Sequence, residues 1–574
     1  MGYVCGQYEV EMNEPDDLLQ LDVKDYRTLA PKPVGILPKF KHVQPGYPHP
    51  VLVPFHADLR SVPNMIAATV HRFGCAMPER EGVLMALFER VSKRFITSHF
   101  SQVDVRLVPS LATWLERYPG PRLRSLVKTW DSTRVLGRDS IVRVESFLKD
   151  EVYMKPKNPR GINSYSDESK MVLGPLMHAA DKVIFKSKHY VKGTNPKEWP
   201  QKMEALFGNS RVIGTDFSSM EAHHCGVYAR IVYFAFAHVL KHVPGARYVR
   251  ALLKRLMLGV NEITFGPLRI RLLQRLMSGA LWTSSGNGVL NLLLMGFMSA
   301  LSSGCHDEDA ILQFMLHKFV GLFEGDDGLC VDYGIEADLP EKMGLKLKFD
   351  KFADYSRAGF CKVYCDRGSM TTIREPIEVL AKFFLLPSKY ALGDKSHLAL
   401  LRAKALSYGV MYSKCPILGA LIQRVLWTTS GYMVKQSHFD AVKLYHSQYE
   451  DLPKRIENAE TPESARHLMS EIFGISVDEQ LRIERVLNAR PMDRFAPIEL
   501  DLDRWVDSDM RFNALRYVAP YNEHWVRPQH DLPPIIEEFL EGTGIKAYPE
   551  EATILHKWVP LAATTNAHPD FAHR

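Results

Sequence analysis

The order of elements in this chain predicts an α+β fold, on three observations. FVGLFEGDDGLCVD (319–332) is an apolar run interrupted by Gly-Asp-Asp, which reads as a hairpin with Gly325 and Gly328 bracketing its turn. RVIGTDFSS (211–219) is a short apolar strand ending at Asp216, followed by a helix through Leu240. TSSGNGVLNLLLMGFMSAL (283–301) reads as a long buried helix despite its two early glycines.

The remaining elements follow in order. With 574 residues, several subdomains are expected rather than one core. PKPVGILPKFKHVQPGYPHPVLVPF (31–55) is rich in proline and glycine and should be extended. Residues 84–97 and 109–130 mix apolar and charged positions at helical spacing. Lys149 to Lys192 carries nine Lys or Arg against five Asp or Glu, with Pro156, Pro159 and Gly161 as breakers. That predicts a basic extended segment, either a solvated loop or a surface for phosphate. Helix is expected again at 231–240 (IVYFAFAHVL) and from Ala251 to Leu258. EADLPEKMGLKLKFD (336–350) reads as helix, turn and basic strand, and FCKVYCD (360–366) alternates like a short strand. From about 385 the pattern is mostly helical, ending in YPEEATILHKWVPLAATTNAHPDFAHR, either a tail or a segment folded back.

Composition narrows the class. At 46% hydrophobic and 24% charged, with no low-complexity tract, the chain is globular. Its net charge of +6 suits a polyanionic partner without requiring one. Eight scattered cysteines form no disulfide framework and point to a reducing, intracellular setting. Cys361 and Cys365 lack the second close pair of a zinc ribbon. The polar, acidic start MGYVCGQYEVEMNEPDD is unlike a signal peptide, and no run of 18 apolar residues predicts a membrane span.

Two adjacent aspartates in an apolar hairpin repel one another and lose hydration unless a cation neutralises them. Asp326 and Asp327 are therefore candidate metal ligands, with Asp216 as a third carboxylate and the main-chain carbonyl of Phe217 as a further oxygen. Three carboxylates from neighbouring strands can hold two Mg²⁺ ions roughly 3.5–4 Å apart. Hard oxygen donors suit Mg²⁺, with Mn²⁺ as a substitute. Taken alone, Asp216 reads equally well as a helix cap. In MSGALWTSSGN (277–287), Ser278, Gly279, Thr283 and Asn287 offer hydroxyl and amide groups and a close backbone approach. Thr283 and Asn287 are four apart, hence on one helical face that could meet a ribose 2′-OH; Thr283 or Ser284 could instead cap the helix. FLKDEVYMKPKNPRG (147–161) adds Lys149, Lys155, Lys157 and Arg160 for a triphosphate.

The order of these pieces resembles that of viral RNA-dependent RNA polymerases of positive-strand RNA viruses, nearest to the tombusvirus-like and flavivirus/hepacivirus-like groups. The resemblance covers roughly residues 145–370. It implies a right-hand polymerase of fingers, palm and thumb, in the closed form in which fingers reach the thumb. The implied divisions are 1–210 as N-terminal extension and fingers, 211–240 as palm, 241–275 as a fingers insertion, 276–384 as palm, and 385–574 as thumb and C-terminal extension. Lys149 through Arg160 match the basic fingers motif, and Asp216 with Glu221 the paired acids of the first palm motif. Ser278, Gly279, Thr283 and Asn287 match the sugar-selecting motif, and 325–327 the metal-binding turn. Lys346 or Lys348 falls where the family supplies a protonating residue, although the alternation there also describes an ordinary strand. Phe360-Cys361-Lys362 resembles the primer-grip hairpin. The chain departs from the pattern at Glu221, where aspartate is usual, and at Ala280 and Trp282, where tombusvirus-like enzymes commonly carry Asp and Asn.

The implied activity is template-directed RNA synthesis from NTPs, replicating a viral RNA genome and able to start without a primer. Trp427 and Tyr432 in LWTTSGY (426–432) are candidates for an initiation platform, or core aromatics. Implied partners are single-stranded RNA template, nascent RNA and NTPs, with viral replication or membrane-anchoring proteins beside them. Implied locations are membrane-associated replication complexes of the host cytoplasm, or a viral particle. Reverse transcriptase and noncatalytic RNA-binding subunit are the competing readings. The first would favour an aromatic gate near position 221, and the second would tolerate loss of an acid.

Overall fold

The computed structural model describes residues 62–73, 78–118, 120–132, 143–153, 159–266, 268–387, 394–442 and 452–501, with short pieces of the first 59 residues. The fold is a mixed α+β one with several sheets. Lys155, Lys157, most of 31–55 and the C-terminal stretch from Tyr548 lie outside the described residues.

A four-stranded antiparallel sheet stands at the middle. Its strands are β1 (Val212–Phe217), β2 (Gly321–Glu324), β3 (Asp327–Val331) and β4 (Leu347–Phe352), in the order β2-β3-β1-β4. The hairpin forms where the apolar flanks predict it, with Leu322 opposite Leu329 and Glu324 opposite Asp327. That register makes Gly325 and Asp326 the two central turn residues. Gly325 has φ +62°, the left-handed value glycine adopts without strain at the first position of a tight hairpin turn. Gly328 is not a turn residue. It lies in β3 opposite Thr215, where an added Cβ would fall 2.6 Å from Thr215 Oγ1 and 3.0 Å from the Phe323 ring.

Helices close over this sheet. They are α1 (Gly82–His99), α2 (Asp167–Ile184), α3 (Met220–His223), α4 (Val227–Val239), α5 (Thr283–Ser302) and α6 (Glu308–His317). Every residue of α5 from Ser285 to Ala300 is buried, as a helix apolar on all faces must be. Its early glycines admit neighbours: a Cβ at Gly288 would touch the Tyr190 ring at 3.0 Å.

The expected extended segment 149–192 is corrected here, because 167–184 is helical. Ser166 caps α2 by accepting from Ser169 N–H, Asp167 and Glu168 sit in the first turn, and Met171, Leu173, Met177 and Ile184 are buried. Among the described residues of the remainder, Val152–Tyr153 and Gly161–Tyr165 form strand. FCKVYCD is likewise not one strand. Phe360 bridges Val363 around Cys361 and Lys362, both at positive φ, and strand begins at Tyr364.

A five-stranded sheet gathers distant segments in the order Gln20–Val23, Leu268–Leu273, Val260–Phe265, Arg143–Leu148, Gly161–Tyr165. The hairpin from 260 to 273 therefore joins strands from the N-terminal part. Residues from Ile373 to Ile498 bury a second apolar cluster of their own. Segments far apart along the chain also meet: Leu385–Pro387 pairs antiparallel with Phe40–His42, and Ile498 N–H donates to the Gly46 carbonyl at 3.4 Å.

Candidate active site

The sheet register determines how the acids meet. Gly328 pairs with Thr215, so the next step along both strands brings Asp327 beside Asp216. On the other edge of β1, Lys348 is paired with Asp216 and Leu347 with Phe217. Side chains of directly opposed residues share a face, so a lysine borders the carboxylates. Asp216, Asp326 and Asp327 are exposed, whereas Phe217 is buried.

The Asp327 carboxyl is held above its ordinary pKa. Partial loss of hydration is the first cause, joined by the negative charges of Asp326, Glu324 and Asp216; a hydrogen bond from the Cys361 thiol opposes them. The thiol is itself pushed up by burial and by Asp327. Asn291 of α5 anchors the turn by donating from Nδ2 to the Asp326 carbonyl at 3.0 Å. Glu324 is partly neutralised, since Oε1 accepts from Lys192 Nζ at 2.6 Å and from Ser284 Oγ at 3.1 Å. Its Oε2 is buried without a hydrogen-bond partner among the described residues. Below it, burial raises Asp181 of α2 to about 6 against the relief of a Ser285 hydrogen bond.

These donors are hard oxygens carrying excess negative charge, the chemistry a divalent cation would relieve. Among the described residues, no three His, Cys, Asp or Glu side chains are gathered closely enough to hold a metal ion. The fit is thus one of donor type and charge.

The loop before α5 is bound to the strand Gly161–Tyr165. Ser278 Oγ donates to the Gly161 carbonyl at 3.0 Å and accepts from Asn163 N–H at 3.1 Å. Gly279 N–H donates to the Asn163 carbonyl at 2.7 Å, and an added Cβ would lie 2.7 Å from that same oxygen. The Thr283 hydroxyl is 2.9 Å from both the Met277 and Ala280 carbonyls, so its proton ties the loop together. Asn287 is buried, and His224 Nε2 meets its Oδ1 at 2.9 Å. Lys149 pairs with Glu151 at 2.9 Å, and Arg160 lies 3.8 Å from the same carboxylate, so neither is a wholly uncompensated cation.

Sequence reasoning missed the partners around the segment that follows Asp216. Arg72 ion-pairs with Glu221, whose side chain is only 7% exposed. His223, held by burial to about 4, bonds the Ser219 carbonyl through Nδ1 and accepts Lys346 N–H at Nε2. Ser218 N–H in turn donates to the Lys346 carbonyl at 3.0 Å, so β4 is locked to the residues just after Asp216. The pair His223-His224 next to Glu221 was a visible signal; Arg72, 149 residues away, had none.

No family model matches the chain. It is 22% identical over 367 residues to the RNA-directed RNA polymerase of Pariacoto virus, an overlap of 61% of this chain and 35% of that protein. The chain thus spans about a third of the curated relative's length. This distant similarity points to the broad superfamily of viral RNA-directed RNA polymerases and singles out no subgroup. No helix among the described residues is long and apolar enough to cross a membrane.

Proposed function

We propose that this chain carries out template-directed RNA synthesis from NTPs, as the catalytic part of a viral RNA replication machinery. The observation that carries the reading is the register joining β3 to β1, which sets the Asp326-Asp327 turn beside Asp216 with Lys348 on the far side. The distant similarity to a viral RNA-directed RNA polymerase supports it independently.

In this reading the middle sheet with α4 and α5 is the palm (211–240 and 276–384). Residues 1–210 and the insertion 241–275 are fingers, and 385–574 the thumb with its extension. The shared five-stranded sheet supports grouping the insertion with the N-terminal part. The pairing of Phe40–His42 with Leu385–Pro387 supports a closed hand.

Asp216, Asp326 and Asp327, with the Phe217 carbonyl, would hold Mg²⁺, or Mn²⁺ in its place, which when bound lowers the pKa of an attacking hydroxyl and balances phosphate charge. The chain's own groups do the rest. Asn291 and the glycine turn fix where the acids stand. Lys348, opposite Asp216, would give a proton to a departing pyrophosphate, with Lys346, just before β4, as the alternative donor. Lys149 and Arg160, with Lys155 and Lys157, attract the triphosphate, and Asn287 faces the ribose.

The test is incorporation of labelled NTPs on a defined single-stranded RNA with Mg²⁺, omitting each NTP in turn, beside Asp326→Asn. Full-length product that needs every templated NTP and disappears in the variant is expected. Addition indifferent to the template would point to terminal transfer, and a folded, RNA-binding protein that incorporates nothing would overturn the reading.

A further inference from the structure

Two side chains that the resemblance assigns to the ribose, Glu221 and Asn287, do not contact each other through any hydrogen bond described above. Each has a separate partner. Glu221 is drawn to Arg72, from a helix far away in sequence. Asn287 presents Oδ1 to His224, and both side chains are buried, at 4% and 3% exposure.

The geometry dictates the chemistry of that bond. With the Asn287 amide in this orientation its oxygen accepts, and the His224 Nε2 that faces it at 2.9 Å carries the proton. Burial is the main cause holding the imidazole pKa down, to about 3, so the ring is neutral throughout the working range of an enzyme. The backbone that carries the ring is itself tied down: Arg275 N–H donates to the His224 carbonyl at 3.0 Å, and α3 ends immediately before it. With the oxygen end of Asn287 engaged, the donor end, its Nδ2 amide, is the end a ligand meets. An amide free to flip would present donor or acceptor with little preference.

We infer that His224 is a positioning residue for nucleotide selection, orienting Asn287 so that its NH₂ group donates to the 2′-hydroxyl of an incoming ribonucleotide. The inference rests on the polymerase reading and deepens it by naming what sets sugar specificity. A 2′-deoxynucleotide leaves that donor unmatched, and such an unmatched buried donor is what discriminates.

The experiment compares wild type, His224→Leu and His224→Gln for incorporation efficiency (kcat/KM) of one NTP and its 2′-deoxy counterpart on the same RNA template, with melting temperatures in parallel. Glutamine places an amide donor near the position of Nε2; leucine has none. Expected is a fall of about tenfold in ribo-over-deoxy preference for His224→Leu, the size of one hydrogen bond, with most of it restored in His224→Gln. In an Asn287→Leu background, His224→Leu should lower the preference no further. A merely structural role would reduce both nucleotides in parallel and leave the ratio unchanged, and that result overturns the inference. If wild type copies RNA and the ratio stays fixed in both variants, only the role of His224 fails. If folded wild type incorporates no templated nucleotide, the polymerase reading fails and takes the inference with it.

Discussion

Substituting Gly328 by alanine probes the seam between the two acid-bearing strands. The new Cβ would sit 2.6 Å from Thr215 Oγ1 and 3.0 Å from two carbons of the Phe323 ring. Both lie inside normal contact, and they resist to different degrees. The threonine hydroxyl can leave by rotating χ1, at about 0.5–1.5 kcal/mol if it must stand off its rotamer. Phe323 is wholly buried, so moving its ring is an overpacking problem of about 1–3 kcal/mol. The destabilisation is therefore about 1.5–4.5 kcal/mol. On the proposed polymerase reading the larger effect falls on incorporation, because the same contact sits beside the pairing of Asp327 with Asp216. A displacement near 1 Å at reacting groups costs about 100-fold in rate. The assay is a cycle of Gly328→Ala, Thr215→Ala and the double variant, read by thermal melting and templated NTP incorporation. Thr215→Ala should be mild and should recover part of both losses, leaving the share due to Phe323. A Gly328→Ala protein with wild-type melting and incorporation would refute the packing argument, and so would a double variant no better than the single.

The other predictions concern the charged groups nearby. Arg72→Met leaves Glu221 buried without its partner and should destabilise by about 3–5 kcal/mol, whereas Arg72→Met with Glu221→Gln should recover most of it; equal melting temperatures for the two would contradict this. For Asp181 the folded pKa, about 6, lies above the unfolded value, so its contribution favours the folded state most below pH 4 and is lost as pH rises through 6. Asp181→Asn should therefore gain in melting temperature over wild type between pH 5 and 8, and a constant difference across that range would show the carboxyl is not the titrating group. Lys404, half-buried with its ammonium over the Phe383 ring and donating to the Lys382 carbonyl, is depressed to about 7, chiefly by loss of hydration. Wild type should gain stability from pH 7 to 10 relative to Lys404→Met, a trend that parallel melting curves would exclude.

What was legible in the sequence followed local rules. The Gly-Asp-Asp hairpin announces itself through apolar flanks on either side of a turn, and α5 through a continuous apolar run. What was not legible depended on partners distant along the chain. Gly328 looked like a turn residue because only the register with Thr215, 113 positions earlier, shows its crowding. The bonds of the Thr283 hydroxyl were hidden because helical spacing does not say which side of the first turn the preceding loop occupies; the Met277 and Ala280 carbonyls take its proton. The missed helix α2 was an error of weighting. The breakers Pro156, Pro159 and Gly161 all precede it, while Ser166-Asp167-Glu168 is a helix start and the apolar spacing after it is helical. Cys361 over Asp327 had no local signal beyond its place in FCKVYCD.

The most direct measurement is Mn²⁺ binding by electron paramagnetic resonance, on wild type, Asp216→Asn, Asp326→Asn and the double variant, with melting temperatures alongside. If β1 and the β2–β3 turn build one cation site, each folded single variant binds Mn²⁺ more weakly and the double variant loses little beyond the worse of the two. Wild-type binding in either folded single variant would contradict a shared site, and with it the assignment of Asp216 and Asp326 to one catalytic centre.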